Sequence, residues 1–247
     1  MRGPLSDSEL LGYADLYLRC TRADTFFRMV ADDAVALDGR EGTTILDIGC
    51  GDGFHHDKAL QMSIGRHAAQ FVGVEPDIET HVEPCFSIVY PCKLESANIP
   101  PASVDLAYSA MVLEHVDDPN AHFAKIREIL KPGGVYWGFT VDSRHWFAWL
   151  SSAFERLRLK ELYLRRLHGQ RAEDRYANFP TRYRCNSPVT IRRFTSGFSS
   201  LQTLSLHKPG QLDFYLPRAL QGISHLVDRA SMYLRLPGSV LVVRLVK

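Results

Sequence analysis

The sequence predicts an α/β fold, doubly wound around a mostly parallel seven-stranded sheet. Three observations carry that expectation. A short apolar run passes straight into a glycine-rich turn, ILDIGCGDGF, Ile45–Phe54. Further short apolar runs then alternate with helical stretches, the pattern of strand–helix–strand units. Two apolar runs close the chain, LQTLSLH at Leu201–His207 and SVLVVRLV at Ser239–Val246, and complete the sheet as a final pair.

In order, Asp7–Leu37 reads as helical and precedes strand 1 at Thr44–Ile48. Strands 2 to 5 are expected at Phe71–Glu75, Ser87–Tyr90, Val104–Ser109 and Gly134–Thr140. The clearest helix is Pro119–Leu130: Asp118 is an N-cap, Pro119 suits the first helical position, and Gly133–Gly134 lies beyond its end. His145–His168 has helical spacing of Trp146, Leu150, Ala153, Leu157, Leu164 and Leu167, no internal Pro or Gly, and a stop at Gly169. Ser187 and Pro188 start another helix, and a further one covers about Ala219–Tyr233. The expected organisation is one domain over 1–247: N-terminal helices (1–43), a ligand-binding core (44–144), a basic helical insertion after strand 5 (145–186), and a sheet-completing part (187–247). That last part carries a second insertion at about 209–237, between the last two strands.

The glycine turn indicates a nucleotide-like ligand. Gly49, Gly51 and Gly53 permit positive φ and leave no Cβ between backbone and ligand. Phe54 stands where a dinucleotide fingerprint needs its third glycine, and no Lys followed by Ser or Thr closes the loop as in a triphosphate site. Asp47, at the entry, repels phosphate and suits a cationic ligand. Glu75 ends the second strand, where a carboxylate can accept hydrogen bonds from two ribose hydroxyls.

These segments, followed by LESANIP (Leu94–Pro100), VDLAYS (Val104–Ser109), MVLEHVDDP (Met111–Pro119) and ILKPGG (Ile129–Gly134), form an ordered set. In that order the chain resembles the class I S-adenosylmethionine-dependent methyltransferases, with their Rossmann-like fold, and in particular the large bacterial type 11-like group with LEHV-x-DP and LKPGG motifs. The resemblance implies S-adenosyl-L-methionine as cofactor. It places the methionine portion in the loop of Asp47, Gly49, Cys50, Gly51 and Asp52, and the ribose at Glu75, next to Pro76. It gives the adenine to Glu95 and the backbone of Ser96, where the group usually has Asp-Ala, and covers the ring with the turn of Ser109, Ala110 and Met111.

Transfer from an activated methyl sulfonium chiefly needs alignment and exclusion of water, with a base where the nucleophile is a hydroxyl. Candidate bases are His145 just past strand 5, His115 in LEHV, and Tyr183, with His145 favoured by its position. No metal is expected: the five cysteines, Cys20, Cys50, Cys85, Cys92 and Cys185, contain no C-x-x-C, and Cys50 reads as a small packing residue.

The formal net charge is +1, yet it divides unevenly. Residues 1–143 hold 11 Lys and Arg against 22 Asp and Glu, a balance of −11; residues 144–247 hold 18 against 6, a balance of +12. Either the two parts offset one another within one domain, or a basic face collects an anionic acceptor. The excess is densest in Arg144–Arg193, where Arg165, Arg166, Arg182 and Arg184 could attract an anion. A lid over the active site is the favoured reading of this insertion, with an interfacial helix on anionic lipid or a nucleic-acid contact as alternatives. Trp146, Phe147 and Trp149 read as packing residues. No window reaches the length of a membrane span and the N-terminus lacks an apolar leader core, so a cytoplasmic protein is expected. The expected reaction is methyl transfer to a hydroxyl of an anionic or lipid-linked small metabolite or glycan. The alternatives are an RNA methyltransferase or a catalytically silent cofactor-binding subunit. The oligomeric state is not legible.

Overall fold

The run Thr44–Ile48 is buried along its whole length, as the central strand of a parallel sheet covered on both faces must be. The structure, a computed structural model, describes residues 2–51, 53–149, 181–213 and 216–247. Their strands are β1 (Thr44–Ile48), β2 (Gln70–Val74), β3 (Ile88–Tyr90), β4 (Val104–Ala110), β5 (Leu130–Val141), β6 (Ser200–Leu206) and β7 (Val240–Val246). They form one seven-stranded sheet in the order β3-β2-β1-β4-β5-β7-β6. The first five are parallel, and β7 runs antiparallel between β5 and β6. This is the expected fold class. The order reverses between β1 and β4, the switch point at whose carboxyl ends open α/β sheets place their ligand crevice.

The N-terminal stretch, expected as one helical block, is two helices, α1 (Asp7–Arg19) and α2 (Arg22–Ala34), followed by a short turn at Val35–Leu37. The break is local chemistry. The Thr21 hydroxyl accepts the Asp24 N–H at 3.1 Å and starts a new helix, as Ser6 does with Glu9 in a capping box. Further on come α3 (Lys58–Gly65), α4 (Pro119–Ile129), α5 (Pro188–Phe194) and α6 (Arg218–Tyr233). Asp118 caps α4 through the N–H groups of Asn120 and Ala121, with Pro119 at its start.

Strand 5 differs most from expectation. It begins at Leu130 instead of Gly134, because KPGG does not turn away but runs beside β4 through a register shift between Val104 and Leu106. Gly133 takes a φ of +75° there, and Lys131 Nζ reaches Asp105 Oδ2 at 2.7 Å. Strand 2 stops at Val74, which leaves Glu75 in the loop at the sheet's edge.

One face of the sheet packs on α1 and α2, where Phe26 stacks on Phe139 at 4.1 Å. The other packs on α4 and α5 through Phe123, Ile126 and Ile191. Beneath α2, Arg244 of β7 pairs with Asp33 at 3.0 Å, both essentially buried, and lies over the Trp137 ring. This pair joins the acidic and basic parts of the chain. Among the described residues no helix is long and apolar enough to cross a membrane. Most of the basic insertion, including Arg165, Arg166 and the apolar positions from Leu150 to Leu167, lies outside the described residues.

Candidate functional site

The crevice is built on the glycine turn after β1. Gly49 has a φ of +78° and donates its N–H to the Val74 carbonyl at 2.7 Å. A Cβ on Gly49 would stand 2.5 Å from Val112 Cγ2, so this loop lies directly against the turn that follows β4. Gly51 donates its N–H to Glu75 Oε2 at 3.0 Å, and a Cβ there would fall 2.8 Å from that oxygen. Gly49 is required by its positive φ, and a side chain at Gly51 would displace the Glu75 carboxyl and Thr80. Cys50 is buried, its Sγ against Gly73, and burial pushes its thiol far above the ordinary range. It is a packing residue. Asp52 lies outside the described residues.

Two carboxyls stand at the ends of adjacent strands. Asp47 is buried, and both Gln61 Nε2 and Tyr108 Oη donate to its Oδ2, at 2.8 and 2.7 Å. Burial pushes this carboxyl up to about 7, against those hydrogen bonds and with a contribution from the charge of Glu75. Glu75 is also raised by burial, although the N–H groups of Gly51 and Asp77 bond its two oxygens, each at 3.0 Å. Glu75 thus holds the glycine turn in place, and each oxygen keeps a lone pair for a ligand. Pro76, half-buried, follows it directly.

In the turn after β3, Glu95 Oε1 meets His122 Nδ1 of α4 at 2.8 Å. Partial burial opposes ionisation of Glu95, but the hydrogen bond and charge of His122 outweigh it and hold the carboxyl below its ordinary range. Ser96 gives its N–H to the Lys93 carbonyl at 3.0 Å, so any adenine contact falls to its carbonyl or hydroxyl. Ser109 departs from expectation. It is fully buried and its hydroxyl pairs with Tyr136 Oη at 2.6 Å, within the core on the α4 side. Alternation along β4 explains this, because Tyr108, which reaches Asp47, takes the opposite face. Ala110 and Met111 are half-buried at the strand end, and Met111, with a φ of +60°, donates its N–H to the Phe139 carbonyl at 2.8 Å.

Among the candidate bases, His115 and Tyr183 meet around Glu114. The Glu114 carbonyl accepts the N–H groups of Arg182 and Tyr183, at 2.6 and 3.2 Å. Its buried carboxyl accepts the Thr140 hydroxyl at 2.8 Å and is raised by burial, an effect opposed first by the charge of His115. Asn186 Nδ2 donates to the same Thr140 oxygen at 2.6 Å. His145 has other company. It is 5% exposed, with Nε2 3.8 Å from Asp228 Oδ1 on α6, and it lines a small polar cavity with His207, Lys208, Gln211 and Ser239. Burial lowers its pKa. Arg182 and Arg184, read as able to attract an anion, engage the Asp117 turn: Arg182 Nε donates to Asp117 Oδ1 at 3.0 Å and Arg184 to the Asp117 carbonyl.

Sequence reasoning missed Gln61, Tyr108, Glu114, Thr140 and Asn186. Only Glu114 carried a signal, as part of the LEHV motif. Among the described residues no cluster of three or more His, Cys, Asp or Glu could hold a metal ion.

A family model described as a methyltransferase domain matches residues 46–137. A ubiquinone biosynthesis O-methyltransferase of Bradyrhizobium sp. (strain ORS 278) is 32% identical over 130 residues, covering 50% of this chain and 49% of that protein. An uncharacterized methyltransferase of Mycobacterium sp. (strain KMS) is 34% identical over 120 residues, covering 46% and 45%. The chain therefore spans about half the length of the curated relatives it matches. The crystal structure of a SAM dependent methyltransferase from Archaeoglobus fulgidus shares the fold, with a TM-score of 0.56 over 98% of this chain and 100% of that one at 11% identity.

Proposed function

We propose that the chain, whose residues 46–137 match a methyltransferase domain on a fold shared with a SAM dependent methyltransferase, is a class I S-adenosylmethionine-dependent methyltransferase that methylates a hydroxyl of an anionic or lipid-linked small metabolite or glycan. The observation that carries the reading is the carboxyl pair, Asp47 and Glu75, set around glycines that admit no Cβ. The donor set fits the cofactor: Asp47 supplies negative charge near a cationic methionine portion, and the two Glu75 oxygens suit vicinal ribose hydroxyls. When bound, S-adenosylmethionine supplies a methyl group already activated by its sulfonium. Gly49, Cys50 and Gly51 would then shape the methionine cradle, Pro76 would follow the ribose contact, and Glu95, Ser96, Ala110 and Met111 would border the adenine; the expected role of Asp52 falls outside the described residues.

Hydroxyl as the acceptor draws support from the relative named an O-methyltransferase. For the proton, the geometry favours His115 over His145. His115 and Tyr183 share the Glu114 turn, which follows the Val112 that touches Gly49, whereas His145 is enclosed beneath α6. His115 would accept the acceptor's proton and Tyr183 would orient the acceptor. Titration calorimetry of the full chain with S-adenosylmethionine and S-adenosylhomocysteine, then mass spectrometry of products from hydroxylated acceptors, tests the proposal. Absence of cofactor binding ends it; binding without any methylated product points to the silent subunit.

A further inference from the structure

Helix α6 is turned inside out. A surface helix of a globular protein buries its apolar stripe and exposes its polar face. Here the buried residues are Ser224, Asp228 and Ser231. Ile223, Leu226 and Tyr233 point outward, 60%, 69% and 88% exposed. At about 100° per residue these three fall within one arc, which Val227 widens. The helix is anchored by polar contacts: Trp146 Nε1 donates to Asp228 Oδ1 at 3.3 Å, with His145 beside the same oxygen.

Among the described residues, the exposed charges carried by the helix itself are cationic. Arg218 and Arg229 are exposed along one edge, and exposed Arg235 follows the helix end. Asp228, the helix's single acid, is buried, and His225 is occupied by Asp213 at 2.9 Å. A two-fold dimer through this face would bring the exposed arginines of the two copies together, with Asp213, already engaged by His225, the one acid bonded to the exposed side of the helix among the described residues. An apolar stripe edged by cations matches instead an interfacial helix, which sinks its apolar side into the boundary of an anionic leaflet. We propose that α6 docks the protein on an anionic lipid bilayer. The inference does not depend on the identity of the methyl acceptor.

The test is flotation of the full chain with vesicles of phosphatidylglycerol and phosphatidylcholine in equal parts, against phosphatidylcholine alone. Flotation is expected only with the anionic vesicles, and added salt should reduce it. The double variant Ile223→Glu/Leu226→Glu should lose about tenfold or more of the bound fraction at unchanged Tm, and Arg218→Glu/Arg229→Glu should weaken binding while keeping the fold. Four results overturn the proposal: retained flotation of the Glu variant, equal binding to both vesicle types, a clear fall in its Tm, which marks a face covered within the fold, or a dimer that dissociates in that variant, which assigns the face to a second copy.

Discussion

Asp47→Asn separates two effects that the buried carboxyl combines. The unfolded chain titrates this group near the ordinary 3.8, whereas burial in the fold pushes it up to about 7. Between those values the folded protein holds a proton that the unfolded chain has lost, so its stability falls as pH rises, and the full penalty is present above pH 7. Roughly three pH intervals of 1.4 kcal/mol each give a ceiling of about 4 kcal/mol. Asn keeps an acceptor for Gln61 and Tyr108 and carries no charge. The variant should therefore unfold at a higher temperature than the parent at pH 8 and at nearly the same temperature near pH 3. Cofactor binding should show the opposite preference. A cation beside Asp47 favours the ionised form, which is about a tenth populated at pH 6 and nine-tenths at pH 8, so the parent-to-variant affinity ratio should rise about tenfold over that range. Calorimetry at pH 6, 7 and 8 with thermal denaturation at each pH reads both effects. A variant less stable than the parent at pH 8, or an affinity ratio constant with pH, would refute the reasoning.

Glu75→Gln should weaken S-adenosylmethionine binding by roughly 1.5–3 kcal/mol, the range for hydrogen bonds to a charged group, read as Kd by calorimetry. Glutamine is the better probe than alanine because it keeps one acceptor for the Gly51 or Asp77 N–H. Arg244→Met should cost about 3–5 kcal/mol in denaturant unfolding by leaving Asp33 buried without its partner, and Arg244→Met/Asp33→Leu should recover much of that loss. His115→Ala should lower kcat by about 10²–10⁴ with cofactor affinity nearly unchanged, while His145→Ala should chiefly lower Tm; the reverse pattern returns the base to His145.

The architecture was legible where one rule decided each segment. Thr44–Ile48 and Ser239–Val246 are apolar runs rich in β-branched residues and closely preceded by glycine, and Asp118–Pro119 fixes a helix start by capping chemistry alone. Misreadings arose where two signals overlapped. Thr21 carries a capping side chain inside an otherwise helical stretch, and Pro132–Gly133–Gly134 has turn residues that the sheet accommodates as a bulge beside Asp105. In the site, the residues that make contact through backbone geometry stood out, since glycine spacing is visible in one dimension. Gln61 and Tyr108 did not, because they are 14 and 61 residues from Asp47 and nothing local distinguishes them from ordinary polar positions. Ser109 was misplaced because its face depends on register: Asp47 pairs with Tyr108, which sends the next side chain to the opposite side of the sheet.

The buried acids sort by what answers them. Asp33 is held by a guanidinium that belongs to the same chain, at 3.0 and 3.2 Å, so its charge is matched by folding itself. Asp47 and Glu75 receive hydrogen bonds from an amide, a phenol and two backbone N–H groups, all neutral. Neutral donors orient a carboxylate but do not cancel its charge, and burial accordingly raises both groups. A fold that needed those acids only for stability would have no reason to leave them so, since an apolar side chain of similar size would cost less. On the proposed function, the charge left unmatched there would be met by a cationic, hydroxyl-bearing ligand, and Asp-to-Asn should accordingly be stabilising at position 47 and destabilising at position 33.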